Sequence, residues 1–263
     1  MDFGLKGKIA IVAAASQGLG KASARSLARE GACVVICSRR EKEIGDAARE
    51  IARETGVEVV PIVADVTKST DIKALVEETV RRFGNVHVLV NNAGGPPAGG
   101  LMDLTDEDWK RAHYLTLMST VRLTREVLPH MIAGRWGRII TIVSISAKQP
   151  ITELLLSSTI RPGILGLTRV LATQHANDNI TVNTVCPGNV LTKRQEELSR
   201  ARAAQRNMTF EQYLEEAARS IPTGRLGRPE EIGDVVAFLA SEKASYINGA
   251  NLLVDGGLAK GIH

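Results

Sequence analysis

The sequence of 263 residues is poor in aromatic side chains, which make up 3% of the chain. Proteins that hold single-stranded nucleic acid stack its bases on aromatic rings, so this composition argues against such a partner. The formal net charge of +4 is mild, and the basic residues are scattered apart from Arg39-Arg40 and Arg81-Arg82. We therefore expect a solvated surface with at most one anion-binding spot and no nucleic-acid partner.

Cysteine is also scarce. The three cysteines, Cys33, Cys37 and Cys186, have no metal-ligand spacing, so no metal site is expected. Cys33 and Cys37 lie in a strand-like run, where burial is a better interpretation than reactivity. Nothing in their placement indicates disulfides, and the expected compartment is a reducing cytoplasm.

Long apolar runs are missing as well, since no segment approaches the ~20 residues of a membrane-spanning helix. The start of the chain imitates a secretory signal, because Lys6 and Lys8 precede an apolar stretch. That stretch is barely long enough and continues directly into a glycine-containing turn. A buried strand is the better interpretation, and no membrane partner is expected.

Residues 9–20 are the stretch around which the rest of the chain is organised. A short apolar run gives way to small residues and to Gly18 and Gly20, and helix-forming residues continue to Gly31. A second apolar run, residues 33–37, comes directly afterwards. Strand, glycine turn, helix and strand form a βαβ unit whose first turn can cradle a phosphate. The turn departs from the dinucleotide fingerprint at Ala14, so an ordinary connection without a ligand stays open on this stretch alone.

The same alternation continues along the chain. Further strands are predicted at residues 57–63, 86–90, 138–143, 180–185 and 251–254, and helices at 41–54, 70–83, 106–131, 164–177, within 193–220, and 229–239. Regular alternation of this kind predicts an α/β fold, a doubly wound parallel sheet with helices on both faces. The length fits one domain. Ligands of such folds lie at the carboxyl ends of the strands, where polar residues and glycines collect here.

Four segments in order resemble the short-chain dehydrogenase/reductase family. They are residues 15–20 (ASQGLG), residues 91–94 (NNAG), residues 186–192 (CPGNVLT), and a C-terminal third comprising residues 224–232, 238–241 and 254–257. The resemblance covers nearly the whole chain. It implies a Rossmann-type sheet, a bound nicotinamide cofactor, and a homotetramer or dimer built on helix faces and the C-terminal segment.

The resemblance also implies which residues contact the cofactor. They are Ser16, Gln17, Gly18, Leu19 and Gly20 in the glycine turn, Ser38, Arg39 and Arg40 after the second strand, Asp65 and Val66 at the adenine, Asn92, Ala93 and Gly94 at the ribose, and Arg161, Pro187, Gly188, Val190 and Thr192 near the nicotinamide.

The cofactor is expected to be NADP(H) rather than NAD(H). An NAD-preferring member usually places an aspartate at about Ser38, whereas Arg39 suits a 2′-phosphate. Two alternatives stay open. Arg39 and Arg40 could simply begin a solvated turn, and Asp65 could cap the following helix near Thr67.

The catalytic segment departs from the family pattern, which has serine, then tyrosine and lysine four residues apart, and an asparagine on an earlier helix. Ser144 fills the serine position, but Ser157 stands in the tyrosine slot and Arg161 in the lysine slot. Thr116 aligns with the asparagine. These four residues are the candidate catalytic set.

The substitutions change the available chemistry. A tyrosine with a pKa near ~10 can protonate a developing alkoxide once a cation lowers that pKa, whereas a serine hydroxyl is a far weaker acid. Serine can still donate a hydrogen bond to an oxyanion, and arginine can hold ribose hydroxyls without relaying protons. Glu153 and His113 are candidate proton donors, although a solvated loop carboxylate and a packed histidine are the simpler interpretations.

Two functions are consistent with these residues. One is an NADP(H)-dependent oxidoreductase that transfers hydride between nicotinamide and a carbonyl or alcohol, with an atypical proton-donor site. The other is a catalytically silent cofactor-binding member of the fold that acts as a sensor or assembly partner. A polar helical lid over the substrate is expected at about residues 193–220, and the sequence does not identify the substrate.

Overall fold

The computed structural model describes residues 2–261, which fold around one seven-stranded parallel sheet. Its strands are β1 (Ile9–Val12), β2 (Cys33–Ser38), β3 (Val59–Val63), β4 (Val88–Asn91), β5 (Gly137–Ile142), β6 (Ile180–Pro187) and β7 (Asn251–Val254). They lie in the order β3-β2-β1-β4-β5-β6-β7. The order reverses between β1 and β4, so a crevice opens at the carboxyl ends of these two strands.

Helices cover both faces of the sheet. They are α1 (Gly18–Arg29), α2 (Glu41–Thr55), α3 (Ser69–Phe83), α4 (Asp106–His113), α5 (Ser119–Ala133), α6 (Leu155–Ile160), α7 (Pro162–Gln174), α8 (Lys193–Gln205), α9 (Phe210–Arg219) and α10 (Pro229–Ala240). Side chains of β1 alternate between two cores. Ala10 and Val12 pack with α1, α2 and α10, while Ile11 packs with α3, α5 and α7. The predicted doubly wound α/β fold is confirmed.

Helix α1 lies unusually close to α10. A Cβ on Gly233 of α10 would lie 2.6 Å from the carbonyl oxygen of Ala22 and 2.8 Å from Oγ of Ser26. Only glycine allows this approach, which holds α1 firmly on the sheet. The amino-terminal end of α1 is thereby fixed over the crevice.

The helix predicted over residues 106–131 is interrupted. A π-helical turn, Tyr114–Met118, separates α4 from α5. Hydroxyls bond the preceding turn here: Thr116 Oγ1 donates to the carbonyl of Ala112 at 2.6 Å, and Ser119 Oγ to that of Leu115 at 2.6 Å. Such turns concentrate at functional sites, and this one places Thr116 in the interior.

The segment expected to form a lid contains two helices, α8 and α9, which pack on one another. Thr192 caps α8 by accepting from the backbone of Gln195 at 3.2 Å. Arg200 of α8 lies over the ring of Phe210 at 3.9 Å. Within residues 2–261, no helix combines the length and the hydrophobicity that crossing a bilayer requires.

Candidate active site

The glycine turn after β1 is built around close backbone contacts. A Cβ on Gly20 would lie 2.6 Å from the carbonyl oxygen of Ala14 and 2.7 Å from Nδ2 of Asn92. Asn92 donates from Nδ2 to the carbonyls of Ala13 and Ala14, both at 3.2 Å. Ala14 adopts a φ of 48°, a left-handed conformation that favours glycine. The Asn92 bridge therefore holds the turn in shape although Ala14 replaces the fingerprint glycine.

The amino-terminal end of α1 faces the crevice without a side-chain cap. Its N-cap residue, Gln17, makes no capping hydrogen bond within the described chain, and its first turn has no acidic residue. By contrast, Thr105 and Thr209 form capping boxes at α4 and α9. Free backbone N–H groups and the helix dipole favour an anion at this end.

The other residues of the turn divide by position. Gln17 is exposed, Ser16 and Gly18 are half-buried, and Leu19 packs against the core beneath α1. Gly18 has a φ of 59°, which again suits glycine. A Cβ placed on Gly18 would lie 3.6 Å from Cγ2 of Thr192. Thr192 therefore lies directly against the glycine turn, although the two residues are far apart along the chain.

The end of β2 presents two arginines in different environments. Arg40 is ion-paired to Glu43 at 3.2 Å. Arg39 is exposed, and its charge acts on the Asp65 carboxylate. Ser38 is half-buried, and among the described residues its hydroxyl is hydrogen-bonded only to the backbone of Arg40, at 3.4 Å. Of the two arginines, Arg39 is the one placed to pair with an anion at this strand end.

Asp65 is engaged by its own loop. Its Oδ1 accepts from the backbone N–H of Thr67 at 2.9 Å and from the Thr67 hydroxyl at 2.8 Å. Burial raises the pKa of the carboxyl, but these two bonds and the charges of Arg39 and Lys68 outweigh it and hold the pKa below its ordinary value. The alternative that Asp65 caps the following helix is wrong in detail, because the N-cap residue of α3 is Lys68, without a side-chain cap. Asp65 instead holds the turn that precedes this helix. The side chain of Val66 packs into the core.

A small polar cavity lies beneath the carboxyl end of β4. Its volume is about 10 Å³, room for a single water molecule, and it is lined by Asn91, Asn92, Ala93, Thr116, Thr120, Thr141, Ile142, Arg161 and Ile164. Asn91, the first residue of the NNAG segment but not one of the predicted cofactor contacts, donates to hydroxyls of Thr124 and Thr141 at 3.3 and 3.2 Å. Thr116 and Arg161 meet at this cavity, while Gly94 is exposed above it.

Arg161 is a buried cation, 7% exposed. It donates from Nη1 to the carbonyl of Val143. Within the described residues its Nε finds no hydrogen-bond partner. Burial, partly offset by the neighbouring Cys186, lowers the pKa of Arg161 to about 10, so it stays charged at neutral pH.

Three serines form a connected group after β5. Ser146 Oγ lies 3.0 Å from Ser144 Oγ and 2.9 Å from Ser157 Oγ. Ser146 also donates from its backbone N–H to Ser144 Oγ at 3.1 Å. The sequence patterns missed Ser146, and its spacing of two residues from Ser144 was the only available signal. Ser144 and Ser157 do not touch directly; Ser146 lies between them.

Neither alternative proton donor reaches this group. Glu153 and His113 are both exposed. Thr116, three residues after His113, is buried in the π-helical turn that begins at Tyr114, whereas His113 faces solvent. The simpler interpretation of Glu153, a solvated loop carboxylate, agrees with its position.

The loop after β6 is fixed at both ends. A Cβ on Gly188 would lie 2.7 Å from Cβ of Asp255, so this loop passes close to the end of β7. Pro187 is buried, and Val190 packs into the core while its backbone bridges Gly227. These contacts fix the loop so that Thr192 lies against the glycine turn.

Comparison with known proteins identifies the family. A family model described as enoyl-(acyl carrier protein) reductase matches residues 13–259. The 3-oxoacyl-[acyl-carrier-protein] reductase FabG of Thermotoga maritima is 34% identical over 254 residues, 97% of this chain and 98% of that protein. Dehydrogenase/reductase SDR family member 4 of Caenorhabditis elegans is 34% identical over 255 residues, 96% of this chain and 95% of that protein. The chain belongs to the short-chain dehydrogenase/reductase family.

Among solved structures of this family, L-sorbose reductase from Gluconobacter frateurii, complexed with NADPH and L-sorbose, is similar over 100% of both chains. Its TM-score is 0.97 and its sequence identity 34%. The seven-stranded sheet and its flanking helices therefore match the architecture of that reductase along both chains.

The tyrosines of this family member take part in contacts other than those of the serine group. Tyr114 is part of the π-helical turn, 36% exposed, with the guanidinium of Arg122 5.0 Å from its ring centre. Tyr213 belongs to α9, and Tyr246 is fully exposed. The chain has three tyrosines, and in the described structure none of them is hydrogen-bonded to Ser144 or Ser157.

Proposed function

We propose that the protein is an NADP(H)-dependent oxidoreductase that transfers hydride between nicotinamide and a carbonyl or alcohol substrate. The observation that carries this proposal is the uncapped N-terminus of α1, which lies against Asn92 at Gly20 and against Thr192 at Gly18. Its backbone N–H groups can bind the phosphates of a dinucleotide at close range. The match of the full chain to an NADPH-complexed reductase supports the same conclusion.

The residues present fit this cofactor. Residues 16–20 would hold its pyrophosphate, and Arg39 with Ser38 its 2′-phosphate. Asp65 and residues 92–94 would border the adenosine. Arg161 and the loop that runs from Pro187 to Thr192 would border the nicotinamide ribose. When bound, the cofactor supplies or accepts the hydride.

Ser144 is the group that would act on the substrate. It is half-buried at the carboxyl end of the sheet, and its hydroxyl can donate to a carbonyl oxygen that gains negative charge. Arg161 donates to the backbone of Val143, the residue before Ser144, and adds a fixed positive charge behind the site. In this proposal Ser144 supplies a hydrogen bond and not the proton, because a serine hydroxyl is too weak an acid. The proton-donor site is therefore atypical for the family.

Two measurements on the purified protein test this function. Titration with NADPH and NADH, followed by fluorescence, measures cofactor preference. Loss of nicotinamide absorbance with a panel of acyl thioesters, quinones, ketones and sugars then measures turnover. We expect tighter binding of NADPH and reduction of at least one carbonyl class. Demonstrable NADPH binding without turnover, in either direction, would favour the rival function, a silent sensor or assembly partner.

The same proposal includes a homo-oligomer, tetramer or dimer, and a lid formed by α8 and α9. Large apolar side chains are exposed at Val170 on α7, and at Tyr246 and Leu252 near the C-terminal strand. Where such side chains form one contiguous patch, the patch is typical of contacts between subunits. Light scattering coupled to size exclusion gives the mass in solution, and a monomer at micromolar concentration would reject the assembly.

A further inference from the structure

The three serines after β5 form a chain of hydroxyls with one open end. Ser157 and Ser146 are buried, with 6% and 0% exposure, whereas Ser144 is half-buried at the crevice. Their oxygens are linked in the order Ser157, Ser146, Ser144 by contacts of 2.9 and 3.0 Å. Each hydroxyl has one proton, so three arrangements are possible: two continuous directions, and a third in which both outer serines donate to Ser146 and leave its buried proton unpaired. The third arrangement disagrees with the geometry, in which Ser146 Oγ donates to Ser144 Oγ.

Counting donors selects one direction. If Ser157 donates to Ser146 and Ser146 to Ser144, both buried protons are paired and the Ser144 proton remains free to point into the crevice. In the opposite direction Ser144 donates inward, and the buried Ser157 hydroxyl has no acceptor among the described contacts. An unpaired buried donor is costly, so the first direction is favoured. The backbone N–H of Ser146, which also donates to Ser144 Oγ, favours the same direction.

We propose that Ser146 is a positioning residue that aims the Ser144 hydroxyl proton at the substrate oxygen, and that Ser157 acts only through Ser146. This inference rests on the proposed reductase function for its kinetic consequence. Ser144 accepts two hydrogen bonds from Ser146, and hydroxyls that accept bonds become better donors themselves. Ser157, one of the four candidate catalytic residues, is therefore assigned no contact with the substrate oxygen, because its hydroxyl faces Ser146.

A double-mutant cycle tests the arrangement. Ser146→Ala and Ser157→Ala should each lower kcat by about tenfold, the value of one hydrogen bond, with NADPH affinity unchanged. In a Ser144→Ala background, neither change should lower kcat further, since both residues act through Ser144. Thr159→Ala is the matched control: it removes an exposed hydroxyl from the same helix, α6, that bonds only the carbonyl of Leu155. Losses that multiply in the double variants would reject the proposal.

A second measurement does not depend on turnover. In an equal mixture of H2O and D2O, a slowly exchanging serine hydroxyl splits its 13Cβ resonance into two lines. We expect two lines for Ser146 and Ser157 and one averaged line for Ser144, whose proton faces the crevice. Two lines for Ser144, or one averaged line for Ser157, would overturn the proposed direction even if the protein reduced no carbonyl. Absence of turnover in wild-type protein would instead reject the proposed function alone.

Discussion

The guanidinium of Arg161 donates a hydrogen bond to the carbonyl oxygen of Val143, the last residue before Ser144. This contact ties the junction of α6 and α7 to the end of β5, where the serine chain begins. It also leaves a charged group almost fully buried without a carboxylate among its neighbours in the described structure. An isolated buried charge is unfavourable unless something on the molecule or a ligand uses it.

We therefore expect Arg161→Met to weaken NADPH binding by about tenfold or more, since charge-assisted hydrogen bonds to the ribose are lost. The same change should leave the melting temperature of the cofactor-free protein unchanged or raise it, because an uncompensated buried charge is removed. Fluorescence titration and thermal unfolding measure the two effects. A large drop in melting temperature with intact NADPH affinity would show that Arg161 is structural.

Gly20→Ala should damage the glycine turn, because the new Cβ meets backbone at 2.6 Å and the Asn92 amide at 2.7 Å. Overpacking of this kind typically costs about 1–3 kcal/mol of unfolding free energy, and NADPH binding should be lost with the turn geometry. Urea unfolding and NADPH titration are the measurements.

The matched control for Gly20→Ala is Gly45→Ala. Gly45 lies within α2, where an added Cβ meets only the end of the Arg49 side chain, at 3.4 Å. Alanine in a helix interior should stabilise the protein by about 0.5–1 kcal/mol. Equal effects of the two substitutions would contradict the close approach at Gly20.

Arg39→Ala should lower NADPH affinity by about tenfold and leave NADH affinity unchanged, because only NADPH has a 2′-phosphate with which Arg39 can form an ion pair. Arg40→Ala, which removes the neighbouring arginine that pairs with Glu43, is the control. Both affinities come from the same fluorescence titration. If Arg39→Ala lowered the affinities for NADPH and NADH equally, or if Arg40→Ala lowered NADPH affinity as much as Arg39→Ala, the two arginines would simply begin a solvated turn.

Much of the fold could be predicted because buried parallel strands are continuous apolar runs bounded by glycine and polar residues. The run at residues 33–37 and the strand it predicts, β2, differ by one residue. The prediction of one continuous helix over residues 106–131 failed at the π-helical turn, where the hydroxyls of Thr116 and Ser119 bond backbone carbonyls. Nothing in a 3.6-residue period shows that a π-helical turn interrupts this helix at Tyr114–Met118, where the Thr116 hydroxyl bonds the carbonyl of Ala112.

The catalytic region was the hardest part to predict, since its contacts depend on tertiary placement. Helix α6 has only six residues, too few for a periodic pattern. Ser146 acquires its position from the short helical turn after Ser144 and its partner from Ser157, eleven residues further along. Sequence spacing located the outer two serines but gave no sign of how their hydroxyls connect.

Acid stability is expected to depend on His87, at the opposite end of the sheet. The backbone N–H of Ile9 donates to Nδ1 of His87 at 3.0 Å, which requires an unprotonated Nδ1. His87 also packs edge-on against Trp136, over whose ring Lys8 and Arg138 lie at 4.0 and 4.3 Å. Burial and then the positive charge of Lys8 lower the pKa of His87 below its ordinary value.

A histidine whose folded pKa is lowered stabilises the protein above its unfolded pKa of about 6.5, and this stability is lost as the pH falls toward the folded value. The unfolding free energy should therefore decrease between pH 7.5 and 5.5, by at most about 1.4 kcal/mol per pH unit from this group. His87→Gln should remove that slope, whereas His113→Gln, at an exposed position, should retain it. Asp108 and Glu231, whose hydrogen bonds lower their pKa values to about 2, titrate in more acidic solution and do not confuse the measurement. Urea unfolding at several pH values provides the data, and an unchanged slope in His87→Gln would show that another group controls acid stability.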